Sequence, residues 1–165
     1  MTDLSGTAGD LRQRISSGVL PLLARIAICL IFIQAVLGKI LGWSGQAAYM
    51  ARHGISPIPP LLAAALAIEL IGVLCLLLGY QVRLAALVMA AYLCIVSVML
   101  HNFWAAGLSE MAQGLAQTEF MKNIGIVGGL LMLAAWGPGR FSLEEFLRRR
   151  QEHHNLPSPL PKTTG

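Results

Sequence analysis

The chain has 165 residues, 56% of them hydrophobic and 12% charged, and its mean hydropathy is +0.67. A water-soluble domain carries about 45–50% apolar and about 25% charged residues, so an ordinary soluble domain is excluded, as is disorder over most of the chain. The net charge of +4 does not point to nucleic acid, because the basic residues sit beside the apolar runs and in the tail.

A helix needs roughly 20 apolar residues to cross a bilayer, and four such runs follow one another. The first extends from about Val19 to Leu41 and is closed by Gly42 and Trp43. The second, after the breakers Pro57, Pro59 and Pro60, extends from about Leu61 to Gly79, with Tyr80, Gln81 and Arg83 in a tight turn behind it. The third spans about Leu84 to Leu100 and ends at His101, Asn102, Phe103 and Trp104. The fourth spans about Phe120 to Trp136 and is stopped by Gly137, Pro138 and Gly139. The predicted fold is therefore an all-α membrane protein: an antiparallel four-helix transmembrane bundle with short extracytoplasmic helices and a cytoplasmic amphipathic C-terminal helix. Residues 1–18 form a cytoplasmic N-terminal segment, 19–137 the membrane domain, and 138–165 the amphipathic helix and tail.

Orientation follows from the basic residues. Arg12, Arg14, Arg83, Arg140, Arg148, Arg149, Arg150 and Lys162 fall on one side, whereas the other side's loops carry Arg52, with Lys39 and Lys122 at span ends. The basic side is expected to be cytoplasmic, with both termini inside. Trp43, Phe103, Trp104 and Phe120 mark one interface, and Tyr80, Trp136 and Phe141 the other. No cleavable signal peptide is expected, because the first run is too long for one.

Between the spans, Ser44 is positioned to cap a helix from Gly45 to His53, with Gly54 behind it. Ser109 starts about one turn of helix before Phe120. Ser142 with Glu145 forms a capping-box pattern, opening a helix of about a dozen residues through Arg150. Its Leu143, Phe146 and Leu147 suit a membrane surface, and its arginines suit anionic lipid. The first ten residues and those from Asn155 onward read as disordered. Lipid tails do not drive helices together, so close packing must come from small-residue stripes: Ala35, Gly38 and Gly42; Ala65, Gly72 and Gly79; Ala86, Ala90, Cys94 and Ser97; and Gly125 with Gly129. The three cysteines, Cys29, Cys75 and Cys94, lie in apolar runs without a C-x-x-C pair and read as packing residues.

The informative residues are polar ones inside the apolar runs. Glu69 lies about 12 Å from the outer end of its span, where an acid costs about 2.5–3.5 kcal/mol unless compensated. Two cations on the first span, Arg25 and Lys39, are fourteen residues apart and share one face. They lie roughly 8 and 28 Å from its inner end, bracketing Glu69. Either can be its partner, and Arg25 is preferred because a long arginine reaches toward mid-membrane. His101, Lys122 and Asn123 lie at the outer end and with Lys39 form a polar mouth. Arg25, Lys39, Glu69, His101, Lys122 and Asn123 are thus the candidate cavity residues. An ion pair that only fixes helix packing is weighed equally with a cavity for a quinone headgroup, a proton or a small solute. His53, His153 and His154 are not placed to ligate haem within the spans. No metal site, flavin, nicotinamide or nucleotide motif is present.

The chain resembles the DoxX family of small four-span bacterial membrane proteins, related to the DoxD and Surf4 groups. The resemblance covers roughly Leu20 to Glu144. It rests on Arg25, Gly38-Lys39, Glu69 with Gly72, Leu78-Gly79 with Arg83, and His101 with Phe103 and Trp104. It continues through Phe120, Lys122 and Asn123 to Gly137-Pro138-Gly139 with Ser142-Leu143. Glu144 stands where that family has aspartate. The resemblance implies a multi-pass plasma-membrane protein and an accessory subunit of a quinone-linked redox system, with a membrane or peripheral protein partner. The sequence carries no redox cofactor motif of its own, so a self-sufficient enzyme is not expected, and a quinone is the candidate ligand. A proton-linked transporter or export helper and a structural scaffold stand as alternatives. A homo-oligomer stays open.

Overall fold

A computed structural model describes Gln13 and residues 15–154. The expectations for the first ten residues, for Arg12 and Arg14 and for the tail from Asn155 lie outside the described residues, as do the side chains of His153 and His154. Helices account for all regular structure there. A π-helical turn at Ile15–Val19 leads into α1 (Leu20–Leu41); then come α2 (Trp43–Arg52), α3 (Ile58–Leu78), α4 (Val82–Leu100), α5 (Glu110–Trp136) and α6 (Leu143–His154). Helices α1, α3, α4 and α5 are long and apolar enough to cross a membrane. They run up and down in turn: α1 packs on α3, α3 on α4, α4 on α5, and α5 returns to α1. The antiparallel bundle read from hydropathy is the fold.

The helix ends follow from local chemistry. Pro59 and Pro60 sit in the first turn of α3, where backbone N–H groups have no partner in the helix and proline's missing donor costs nothing. Gly79 closes α3 at φ +69°, with Tyr80 N–H donating to Cys75 O at 3.0 Å, a left-handed glycine termination. A side chain at Gly79 would also strike the Arg25 guanidinium and lie 2.6 Å from Ser142 Cβ. Ser142 Oγ accepts from Glu145 N–H at 3.2 Å and so starts α6, as its capping pattern indicated. The Glu145 carboxyl is held below its usual range by hydrogen bonds from Arg149 and Arg148.

Three local expectations change. Helix α2 begins at Trp43 with Gly42 at its cap, not at Gly45 with Ser44. The chain needs only Gly42 to turn, so Ser44 is already in the helix; Gly54 does end it, at φ +69°. Ser109 caps a helix, with its hydroxyl accepting from Ala112 N–H at 3.3 Å. That helix is not a separate turn, because α5 continues unbroken for 27 residues. Hydropathy marks where a bilayer ends, whereas the backbone ladder continues wherever nothing breaks it. On α4 the buried face steps through Ala86, Ala90, Leu93 and Ser97, and Cys94 is exposed; a 4-3-4 spacing, not a uniform step of four, keeps one helix face on its neighbours.

The core lies between the four long helices, around Cys29, Phe32, Leu76, Val82, Met89 and Leu130. Gly72 is where the Met89 thioether crosses α3; a Cβ there would collide with it. Gly129 packs on Ile28, 3.2 Å from where its Cβ would stand, while Gly125 has nothing within 4 Å. Large apolar side chains such as Leu30, Leu74, Leu84 and Ile95 face outward, as they must where the surroundings are lipid.

Candidate functional site

Two buried charges divide the bundle into two ends. At the end holding Ser17, the α3–α4 turn and the α5–α6 connection, Arg25 is 1% exposed. Its guanidinium donates to Leu76 O at 3.3 Å, in the last turn of α3, and to Phe141 O. Its Nε has no partner among the described residues. Leu76 O also accepts from Gly79 N–H at 3.3 Å, so the cation adds a second bond to a carbonyl of the last turn of α3, joins it to the connection before α6, and faces the negative end of the helix dipole.

At the other end Glu69 is 3% exposed. Lys39 Nζ donates to both of its carboxylate oxygens at 2.8 Å, and Tyr92 OH donates to Oε1 at 2.7 Å. The structure thus puts Lys39, and not the preferred Arg25, on Glu69. The reason is the direction in which helical side chains leave the backbone. They lean toward the N-terminus of their own helix. In α1 that direction carries Lys39 from the rim down toward mid-bundle and Arg25 away from it. In the antiparallel α3 it tips Glu69 toward Lys39. Depth counted along the axis could not reveal this.

The Lys39–Glu69–Tyr92 cluster lies on the wall of a cavity of about 730 Å³. Its walls are largely apolar, from Phe32, Leu62, Leu93 and Met99, and α2 roofs it with Gln46 and Tyr49. The Tyr49 hydroxyl donates to Leu100 O at 3.2 Å, which ties the roof to the end of α4. Burial pushes the Tyr49 phenol up, with the Glu119 carboxylate adding to the rise and Arg52 opposing it. His101, Lys122 and Asn123 also line the cavity. Asn123 Nδ2 donates to Ser97 Oγ at 3.0 Å, and that hydroxyl donates to Leu93 O at 2.6 Å. Lys122 pairs with Glu119, one helical turn earlier. Burial lowers the His101 imidazole; Glu119 raises it, and Lys122 and His53 lower it further.

Five of the six candidate side chains, Lys39, Glu69, His101, Lys122 and Asn123, therefore meet at one cavity, and Arg25 does not. Tyr92, Tyr49, Gln34, Gln46 and Glu119 are the polar lining residues that sequence reasoning missed. For Tyr92 the signal was present: a phenol in the middle of an apolar run needs a partner for its hydroxyl. The cavity offers one N–H of Lys39 left over after its two bonds to Glu69, side-chain amides at Gln34 and Gln46, and an imidazole at the mouth. Among the described residues no three His, Cys, Asp or Glu side chains are grouped to hold a metal ion.

Residues 60–150 match the model of the SURF4 family. The chain is 34% identical over 129 residues to the inner membrane protein YqjF of Escherichia coli (strain K12), a match covering 78% of this chain and 92% of that protein. It is 37% identical over 127 residues to the inner membrane protein YphA of the same organism, covering 76% of this chain and 89% of the relative. A shorter match, 28% identical over 78 residues, covers 47% of this chain and 24% of the ER-derived vesicles protein ERV29 of Saccharomyces cerevisiae (strain ATCC 204508 / S288c). No solved structure matches.

Proposed function

The chain belongs to the SURF4 family of membrane proteins, and from that premise we propose that it is an accessory membrane protein that binds a small amphipathic molecule of quinone-headgroup chemistry. The observation that carries this reading is a largely apolar cavity with a buried Lys39–Glu69–Tyr92 cluster on its wall. Apolar pockets with a few convergent polar groups are the usual form of a small-molecule site. A ring carbonyl accepts from the free N–H of Lys39, and a reduced ring hydroxyl donates to Glu69. The apolar walls take the ring and its tail. The electrons come from a partner redox protein, which makes this chain a holder of the ligand and not the reductant.

The proposal places the protein in a bacterial plasma membrane with both termini cytoplasmic, since the arginines of the terminal end satisfy the positive-inside rule. It keeps residues 1–18, 19–137 and 138–165 as the N-terminal segment, membrane domain and C-terminal segment. We also infer a closer kinship to the DoxX branch, supported by Gly38-Lys39, Glu69 with Gly72, His101 with Phe103 and Trp104, and Gly137-Pro138-Gly139.

The full chain in nanodiscs, titrated with a short-tailed quinone, tests it. Binding should saturate with one ligand per chain and weaken about ten-fold in the Lys39→Met, Glu69→Gln double variant, the loss expected when the one hydrogen bond from Lys39 to the ring carbonyl, of about 1.4 kcal/mol, is removed. Arg25→Met should leave the affinity unchanged, because Arg25 does not line the cavity. Absence of saturable binding by the folded wild-type chain would overturn the reading. A second reading, a proton-linked export helper, is favoured by the match to a protein named for vesicles. It requires a proton-coupled flux in liposomes that Glu69→Gln abolishes.

A further inference from the structure

A second recess, of about 720 Å³, lies at the terminal end of the bundle and shares no lining residue with the cavity above. Four guanidinium groups line it: Arg83 at the start of α4, Arg140 in the α5–α6 connection, and Arg148 and Arg149 on α6. Among the described residues the carboxylates lining it are Glu144 and Glu145, so there guanidiniums exceed carboxylates four to two. The neutralisation is uneven. Glu145 takes both Arg148 and Arg149, and Arg148 also meets Glu152. Arg83 and Arg140 make no side-chain hydrogen bond or ion pair among the described residues. Arg140 N–H donates to Ser17 O at 2.9 Å, and Arg83 Nε lies over Gly137, 3.2 Å from where a Cβ would stand. Beside the recess, Trp136 is 73% exposed and Phe141 is 58% exposed; Trp is a residue type enriched where a bilayer meets water. On α6 the residues facing the recess lie opposite Leu143, Phe146 and Leu147, all exposed. That separation is the pattern of a helix lying in a membrane interface.

We propose that this recess binds the phosphodiester headgroup of an anionic phospholipid, with Arg83 and Arg140 as its ligands. Guanidinium matches phosphate with paired, charge-assisted hydrogen bonds. A basic pocket at the end of a transmembrane bundle is where such headgroups dock. The acyl chains run down the apolar outer wall beside Trp136, which a free anion would not use. That continuity with the lipid-facing surface is why the source is a lipid and not dissolved phosphate.

The test compares the full chain in nanodiscs of phosphatidylcholine with and without phosphatidylglycerol, and in detergent with millimolar inorganic phosphate. Phosphatidylglycerol should raise the melting temperature and be retained on gentle purification. Arg140→Gln, and Arg83→Gln with Arg140→Gln, should weaken retention by about ten-fold or more, the size expected from losing charge-assisted hydrogen bonds. Arg→Lys at both sites should restore part of it. Arg140 is exposed, so the single variant reports even if the double variant folds poorly, and an unchanged melting temperature in phosphatidylcholine shows that each variant is intact. Equal retention by the wild type and Arg140→Gln would overturn the proposal. Protection by inorganic phosphate equal to that by phosphatidylglycerol would overturn the lipid assignment.

Discussion

The two ends of the bundle bury a charge in opposite ways. Lys39 meets the Glu69 carboxylate, which also accepts from the Tyr92 phenol, so that the cluster ties α1, α3 and α4. Among the described residues Arg25 meets only backbone carbonyls, one in the last turn of α3 and one leading into α6. The first arrangement is a pair of side chains, which can be removed together. The second ties a side chain to the main chain, whose half no substitution can remove. A buried ion pair is weak support for stability as a whole, yet breaking it from one side is costly. An arginine on main-chain carbonyls has no such symmetry.

The largest effect should come from Lys39→Met, which leaves Glu69 buried without its cation and should cost about 3–5 kcal/mol. Adding Glu69→Gln should return stability to within about 1 kcal/mol of the wild type, because the amide still accepts from Tyr92. Thermal unfolding in nanodiscs measures both. Additive losses would show that the two residues do not act as a pair. Next, Arg25→Met should cost about 3 kcal/mol through two charge-assisted bonds. Glu69→Gln should not rescue it, and hydrogen exchange over Leu143–Arg150 should speed up. Rescue would dissolve the distinction between the ends.

Gly79→Ala should cost about 2 kcal/mol, from a left-handed backbone and a collision with the Arg25 and Ser142 side chains. An Arg25→Met background should remove only the guanidinium's share, leaving the cost of the left-handed backbone and of the Ser142 contact. At the other end, Tyr92→Phe should cost about 1 kcal/mol of stability, and unfolding midpoints of the two proteins measure it.

The smallest effect is a pH dependence confined to the cavity mouth. Burial lowers the His101 imidazole, so the unfolded chain takes up this proton before the folded one does. Stability should be full above the ordinary value of about 6.5 and fall as pH drops through it toward the lowered folded value. Melting temperatures between pH 8 and pH 5 should show this slope in the wild type and lose it in His101→Asn. An unchanged slope in the variant would assign it to other groups.

Much of this was legible in the residues. Four apolar runs of bilayer length can only be crossing helices, since lipid offers the backbone no other partner. Glycine and proline at 42, 54, 57, 79 and 137 mark their ends by local dihedral preference. The mid-span acid at 69 announced a polar contact, because a carboxylate in hydrocarbon demands one. Its partner was not legible. Arg25 and Lys39 share a helix face and bracket Glu69 in depth, so counting along the axis favours neither. Only the antiparallel apposition of α1 and α3 decides it, by turning Lys39 toward the acid and Arg25 toward the carbonyls at the opposite end. Sequence thus settled which segments cross and which residue needs neutralising, both properties of one segment and its solvent. Partner choice, the cavity and the arginine recess depend on where different segments meet, and only the packed bundle determines that.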